Sequence, residues 1–244
     1  MGEITQFCQD VAEYIRRFLA QNTCIFSNER DMQMHLAIEL AQKYGKNNVF
    51  LEYYVPGNVF DEGLYRWKQQ NKSKGNQDMR VDLVVKKEDE YVPIEIKYKT
   101  KIKQENEIKR FGLSMTGITL TKDQSAQNLG RYDFWRDVRR LELLGKKFDK
   151  VKNGIAVFLT NDTSYKQKQK DGEKVPNCNQ FYLTDNKSES REWENDAEKK
   201  YKPARPNFSL YRTYDVRWSD AEKSPGFCFA IVIVPEIKET QTND

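Results

Sequence analysis

The sequence has few of the residues on which metal-thiolate, redox and nucleophilic hydrolase sites depend. Its 244 residues include a single histidine, His35, and four cysteines. One histidine cannot build a histidine-based metal site, and no Gly-x-Ser-x-Gly nucleophile elbow occurs. The cysteines are too scattered for a zinc knuckle or a Cys-x-x-Cys pair, so we interpret them as reduced: Cys8, Cys24, Cys178 and Cys228. These shortages argue against zinc-finger, thiol-redox and serine or cysteine hydrolase functions.

Long apolar runs are also missing. No stretch approaches 18 apolar residues and no signal-peptide pattern is present, so neither membrane insertion nor secretion is predicted and the cytoplasm is the expected compartment. With 38% hydrophobic and 32% charged residues, the chain has the composition of a globular protein. The net charge of +4 is modest and alone indicates little about nucleic-acid binding.

The most informative stretch runs from residue 79 to residue 100. Segments 81–85 and 91–98 are rich in β-branched and aromatic residues and are separated by a charged turn, which predicts a β-hairpin. A turn centred on Glu88 and Asp89 places Asp82 directly opposite Glu95. Pro93 lacks a backbone N–H, so the sheet should be unpaired on one side there or begin later.

Side chains alternate between the two faces of a strand. The predicted register therefore puts Asp82, Glu95 and Lys97 on one face, and the other face carries Val81, Leu83, Ile94 and Ile96. Directly opposed carboxylates destabilise a hairpin unless they are compensated, and Mg²⁺ is a suitable compensation because it binds oxygen ligands. Lys97 could position a nucleophilic water or neutralise a phosphate. The alternative is a surface hairpin with a solvated charged face.

An Asp followed by Glu-x-Lys on a neighbouring strand resembles the PD-(D/E)XK nuclease superfamily, which has the restriction-endonuclease-like fold. The resemblance covers about residues 27–144, although Val81 stands where the family often has proline. It implies that Asp82, Glu95 and the Ile96 carbonyl bind Mg²⁺, for which Mn²⁺ can substitute, and that Lys97 orients the attacking water. The implied function is Mg²⁺-dependent hydrolysis of DNA phosphodiester bonds by a restriction, defence or repair endonuclease.

A helical acid is expected to complete this site. Ser27 and Asn28 predict an N-cap for a helix from Glu29 to about residue 44. In the superfamily, a glutamate on this helix often joins the metal site. We favour Glu29 over Glu39 or the strand residue Glu52, although an acid at a helix N-terminus is also favoured by the helix dipole alone.

Basic residues near this hairpin suggest contact with DNA phosphates. Lys99, Lys101 and Lys103 crowd the exit of the second strand, a run that also suits a solvated flexible segment. In the long loop 56–77, Arg66 and Trp67 could contact phosphates and stack on bases, or Trp67 could simply pack the loop down. The later helix is expected to expose a basic surface that includes Arg136, Arg139 and Arg140.

We predict an α/β fold with a single domain, residues 1–244, and a restriction-endonuclease-like core over about 27–160. A central mixed sheet would be flanked by helices 29–44 and 121–144, with buried strands at 154–160 and 227–235 and no clear period over 111–120. Helix 4–20 would cover the core or form half of a homodimer interface, and 161–238 would be an extension with short strands, such as 181–184. The rival function is a catalytically inactive nucleic-acid-binding or partner-binding protein of the same fold.

Overall fold

The computed structural model describes residues 2–60, 78–124, 126–167, 178–184, 189–194, 199–200 and 205–237. The helices are α1 (Gln6–Gln21), α2 (Glu29–Tyr44) and α3 (Gln127–Lys147). The strands are β1 (Val49–Val55), β2 (Met79–Lys87), β3 (Glu90–Lys99), β4 (Lys103–Arg110), β5 (Leu113–Thr121), β6 (Gly154–Thr160), β7 (Ser190–Arg191), β8 (Phe208–Ser209), β9 (Trp218–Asp220) and β10 (Cys228–Val234). Among the described residues, no helix combines the length and the hydrophobicity that a membrane-spanning segment needs.

The fold is α/β and is built on a mixed sheet of six strands in the order β1-β2-β3-β6-β10-β9. Strands β3 and β6 run parallel, whereas the other neighbours in this sheet are antiparallel. All seven residues of β6 are buried, as expected for a central strand that is covered on both faces. The predicted mixed sheet flanked by helices is confirmed.

Helices cover both faces of this sheet. On one face, α1 and α2 pack against Leu83, Ile94 and Ile96; on the other, α3 packs against Val84 and Phe158. The apolar stripe of α1 is buried in the first of these layers through Phe7, Cys8, Val11, Ala12, Ile15 and Leu19. This helix therefore covers the core, one of the two roles its sequence allowed, while a homodimer stays a prediction.

The start of α2 follows from its capping residues. The Asn28 side chain accepts a hydrogen bond from the Asp31 N–H (2.9 Å), and Gly45, with φ of +92°, follows the last helical residue. The predicted helix at 29–44 is confirmed. Helix α3 begins at Gln127 instead of residue 121, because the chain before it forms β5.

Strands β4 and β5 form a separate two-stranded sheet, called the ribbon below. The stretch 111–120, whose sequence has no clear period, lies largely in β5, and the lysine-rich run, for which a flexible segment was the alternative, leads into β4. The ribbon is mostly exposed on both faces, so its sequence needs no alternation of apolar and polar residues. The predicted short strand at 181–184 is not formed. A short 3₁₀ helix, Asn179–Phe181, occupies the start of that segment.

The β2–β3 hairpin has the predicted register, with Leu83 opposite Ile94 and Val85 opposite Val92. Pairing of β3 with β6 begins only at Ile94, so Pro93 lies where that side of β3 is unpaired, as expected.

One face assignment in this hairpin was wrong, because Val81 packs on the α3 side and Leu83 on the α1 and α2 side. The register of β2 with β3 ends at the Leu83–Ile94 pair, so the predicted direct pairing of Asp82 with Glu95 is not formed. The register of β1 with β2 also skips the position of Asp82. The skipped residue of β1, Glu52, has a φ of +49°. Regular side-chain alternation is therefore interrupted at Asp82.

Candidate active site

Six charged side chains meet where β2 and β3 separate, and we call them the charged cluster. They come from the start of α2, from β2, from β3 and from α3: Glu29, Asp82, Glu95, Lys97, Asp137 and Arg140. Four of the six were predicted from the sequence, and the two from α3 were not.

Two carboxylates take over hydrogen bonds along the edge of β3 beyond the last pair with β2. The Ile96 N–H donates to Oδ2 of Asp82 (2.7 Å), and the Tyr98 N–H donates to Oε2 of Glu29 (2.9 Å). Buried backbone N–H groups need such acceptors, since leaving one unpaired is costly. Where β2 separates from β3, the side chains of Asp82 and Glu29 therefore replace the missing backbone acceptors, and this fixes the positions of both acids.

Asp82 is held from two sides. Besides the bond to its side chain, its carbonyl accepts a hydrogen bond from Nε2 of Gln33 (2.5 Å), which also donates to Glu52 (3.2 Å). Burial raises the pKa of Asp82 to about 6, although the ammonium of Lys97 opposes this shift. Desolvation therefore dominates, as it does for many carboxylates at functional sites.

Glu95 is almost completely buried, at 1% exposure. Neither of its carboxylate oxygens accepts a hydrogen bond from the described residues, although Oε1 lies 3.1 Å from Nη2 of Arg140. Burial raises the pKa of Glu95 well above its ordinary value, Arg140 opposes the shift, and Asp82 reinforces it. A buried carboxylate without hydrogen-bond donors is costly, so this position calls for a proton or a further cation.

Lys97 is the positive centre of the cluster. Its Nζ lies 2.6 Å from Oδ2 of Asp137 and 3.9 Å from Oε1 of Glu29, and it donates to the Ile96 carbonyl (3.0 Å). Burial alone would lower the pKa of Lys97, but the surrounding carboxylates, Asp137 foremost, outweigh it and raise the pKa. The side chain is therefore held charged.

Asp137 and Arg140 on α3 were missed. Asp137 Oδ1 lies 3.2 Å from Nη1 of Arg140 and 3.7 Å from Nη2 of Arg136. Burial would raise the pKa of Asp137, but Lys97 and the two arginines lower it. A signal was available, because Asp137 lies three residues after Phe134 and four before Leu141, on the apolar stripe of the helix.

The prediction that Arg139 and Arg140 form an exposed basic surface was wrong. Arg139 is 7% exposed and its Nη1 donates to Glu142 (3.2 Å), whereas Arg140 lies in the charged cluster. Each guanidinium points inward because it pairs with an acid, Glu142 for Arg139 and Glu95 for Arg140. A count of basic residues does not reveal such pairing.

Of the three candidate helix and strand acids, Glu29 joins the cluster directly. Glu39 instead lies against the Tyr14 hydroxyl (3.3 Å), and Glu52 contacts Gln33 and Arg30. Glu29 reaches the cluster because it begins α2 beside the end of β3, whereas Glu39 lies almost three helical turns further along α2. Metal binding by Glu29 stays a prediction.

The predicted DNA-contacting lysines lie beside the cluster. Lys99 ends β3, Lys101 pairs with Asp162 (3.2 Å), and Lys103 reaches the Pro225 carbonyl (3.4 Å) at the start of β4. Lys101 and Lys103 therefore also anchor the base of the ribbon. Arg66 and Trp67 lie outside the described residues.

The oxygen atoms of the cluster are chemically suited to bind a hard cation. Asp82, Glu95 and the Ile96 carbonyl offer oxygen ligands of the kind Mg²⁺ prefers, and among the described residues Glu95 has the Arg140 ion pair but accepts no hydrogen bond. Within the described part of the chain, however, no group of three or more His, Cys, Asp or Glu side chains is arranged to hold a metal ion. The oxygen ligands on offer are thus two acids and a carbonyl, and that carbonyl accepts a hydrogen bond from Lys97.

Comparison of the chain with protein-family models, with curated proteins and with solved structures finds no match.

Proposed function

We propose that the protein is a Mg²⁺-dependent endonuclease with a restriction-endonuclease-like core of the PD-(D/E)XK type, acting on DNA. The observation that carries the proposal is the convergence of Asp82, Glu95 and Lys97 in one largely buried cluster, with the partly exposed Glu29 at its edge. Burying several charges together is expensive and brings little net stability, so such a cluster is more readily explained by chemistry than by folding.

In this proposal Asp82, Glu95 and the Ile96 carbonyl hold the cation, with Glu29 beside them. The bound cation supplies Lewis acidity toward the scissile phosphate and a lower pKa for a coordinated water. The Ile96 N–H fixes one oxygen of Asp82, so that the other would be available to the cation. Lys97, held positive by its acidic neighbours, orients the attacking water or neutralises the phosphate.

Asp137 and Arg140 are positioning residues in the same scheme. Asp137 holds the Lys97 ammonium at 2.6 Å, and Arg140 bridges Asp137 and Glu95 with its two Nη atoms. The arginine therefore ties helix α3 to strand β3 and fixes the direction of both acids.

The test is incubation of supercoiled plasmid with the full chain in Mg²⁺ and in EDTA. Wild type should nick or linearise the plasmid only with Mg²⁺, and Glu95→Gln should not, because the isosteric amide keeps the shape but loses the charge. Asp89→Asn is the matched control, since Asp89 is an exposed acid in the turn of the same hairpin. Absence of Mg²⁺-dependent cleavage of plasmid, linear and single-stranded DNA by wild type would overturn the proposal.

A catalytically inactive nucleic-acid-binding or partner-binding protein is the second candidate. The ion pairs from Lys97 to Asp137 and from Arg140 to Glu95 favour it, because they also suit a purely structural network. Calorimetric titration separates the two: the endonuclease should bind Mg²⁺ or Mn²⁺ in a manner lost in Glu95→Gln, while a structural network should bind neither.

A further inference from the structure

The ribbon begins and ends beside the charged cluster. Strand β3, which carries Glu95 and Lys97, leads into β4 within three residues, and β5 leads back to α3, which carries Asp137. The base is tied by hydrogen bonds from the Thr121 hydroxyl to the Lys101 carbonyl (2.6 Å) and from the Gln124 N–H to the Thr100 carbonyl (2.7 Å). The ribbon is thus fixed at its root.

Beyond these hydrogen bonds at its base, the ribbon is mostly exposed to solvent. Neither of its strands packs extensively against any other helix or strand in the described part of the chain. Phe111, at the tip, is fully exposed, and Leu113 is 66% exposed. At about 3.4 Å per residue, the eight residues of β4 extend roughly 25 Å from the core.

The two faces of the ribbon differ in charge. The register pairs Ile108 with Met115 and Arg110 with Leu113, which places these four side chains on one face. This Arg110 face has no acidic residue; its remaining positions on the two strands are Gln104, Asn106, Gly117 and Thr119. Both acids of the ribbon, Glu105 and Glu107, belong to the opposite face, together with Lys109. One face is therefore electrically suited to a polyanion.

We infer that the ribbon is a DNA-binding arm whose Arg110 face lies in the major groove of a B-form duplex. This inference rests on the proposed function and names the form of nucleic acid that the charged cluster would receive. The major groove, about 12 Å wide, admits a two-stranded β-ribbon. Arginine, glutamine and asparagine are donors that read purine edges there, and apolar side chains contact thymine methyl groups.

The same geometry excludes double-stranded RNA as the preferred duplex. The major groove of an A-form helix is too deep and narrow for side chains to read. An arm of roughly 25 Å would cover about seven base pairs at about 3.4 Å each. The arm thus predicts both a duplex preference and a footprint length.

The experiment uses the full chain in EDTA, with a labelled DNA duplex and an RNA duplex of the same sequence. We expect affinity for DNA at least about tenfold higher than for RNA. Dimethyl sulfate methylates guanine N7 in the major groove and adenine N3 in the minor groove, so it reports both grooves at once. We expect protection of guanine N7 over about seven base pairs, with adenine N3 still reactive.

Two variants tie the footprint to the ribbon. Arg110→Ala should weaken DNA binding about tenfold and reduce N7 protection, because a good arginine contact to a base is worth about that much. Leu113→Ser should have a smaller effect in the same direction. The matched controls are Arg17→Ala and Ile38→Ser, which change exposed residues of the same kinds on α1 and α2 and should leave binding unchanged.

The outcomes distinguish this inference from the proposed function. One outcome is that wild type cleaves plasmid with Mg²⁺ while Arg110→Ala binds like wild type and guanine N7 stays reactive. The inferred role of the ribbon is then wrong, and the proposed nuclease function is retained. If the footprint appears as expected but Mg²⁺ gives no cleavage, the arm stands and the nuclease fails. Protection of adenine N3 alone, absence of duplex binding, or a dimer in sedimentation that Leu113→Ser dissociates would each overturn the arm.

Discussion

Two hairpins that follow each other along the chain have opposite environments. The β2–β3 hairpin lies inside the six-stranded sheet, with Leu83, Ile94 and Ile96 fully buried, whereas the β4–β5 ribbon is exposed at Phe111 and Leu113. Both are antiparallel pairs joined by tight turns. Their difference shows that strand pairing alone does not decide where a hairpin lies, and that the packing of its side chains does.

Because of this difference, substitutions in the two hairpins should separate stability from function. The inner hairpin contributes to the core and to the charged cluster together. The ribbon contributes little to the core, so changes there should act on binding alone.

The largest contrast is expected for apolar truncation. Ile94→Ala should lower the free energy of unfolding by about 2–5 kcal/mol, because it leaves a cavity at a fully buried site. Leu113→Ala, at 66% exposure, should stay within about 0.5 kcal/mol of wild type. Urea denaturation followed by circular dichroism measures both, and equal losses would show that the ribbon packs on the core in solution.

Asp82 should make the stability of the inner hairpin depend on pH. Its pKa rises from an ordinary value of 3.8 to about 6, so the folded state keeps the proton over a range in which the unfolded state has lost it. The free energy of unfolding of wild type relative to Asp82→Asn should therefore fall as pH rises from 4 to 7, by up to about 3 kcal/mol.

Denaturation in EDTA at several pH values tests this, and Asp89→Asn serves as an exposed control from the same hairpin. A difference between wild type and Asp82→Asn that does not change with pH would mean that Asp82 is well solvated.

Substitutions at Lys97 and Lys99, both on β3, should affect the rate of cleavage and the affinity for DNA separately. Lys97→Ala should slow single-turnover cleavage by about 10²-fold or more, the usual scale for a water-orienting group. Lys99→Ala, two residues further along β3, should reduce affinity and flatten its salt dependence while the rate at saturating DNA survives. Equal loss of affinity in both variants, with no separate loss of rate for Lys97→Ala, would leave a basic binding surface and remove the catalytic role.

The smallest effect is expected at the tip of the ribbon. Gly112 has a φ of +81°, a backbone conformation that costs other residues about 1–2 kcal/mol. Gly112→Ala should therefore speed amide hydrogen exchange in β4 and β5 by about tenfold without changing the melting temperature of the core. Gly145→Ala, at a position in α3 without positive φ, is the control. A lower melting temperature for Gly112→Ala would show that the ribbon folds together with the core.

Much of the inner hairpin could be predicted from the sequence. Its β-branched runs and charged turn predicted the register from Leu83–Ile94 to Lys87–Glu90. Asp82, Glu95 and Lys97 lie close enough to interact electrostatically, as predicted, although Asp82 does not pair directly with Glu95. The ribbon could not be predicted in the same way, because strands exposed on both faces have no apolar alternation to detect. Asp137 was missed although it lies on an apolar stripe, since its partner Lys97 is distant in sequence.

The local elements could be predicted from the amino-acid order alone: the capped helix at 29–44, the register of the β2–β3 hairpin and the buried strand at 154–160. Long-range packing, in contrast, separates β2 from β3 at Asp82, so that Asp82 and Glu29 replace a strand as acceptors for the β3 backbone. The same packing brings Arg140 to Glu95 and places Val81 on the opposite side of the sheet from Leu83. Hydrogen bonding and hydrophobic period act over a few residues, whereas burial and charge pairing depend on segments that the chain brings together from far apart.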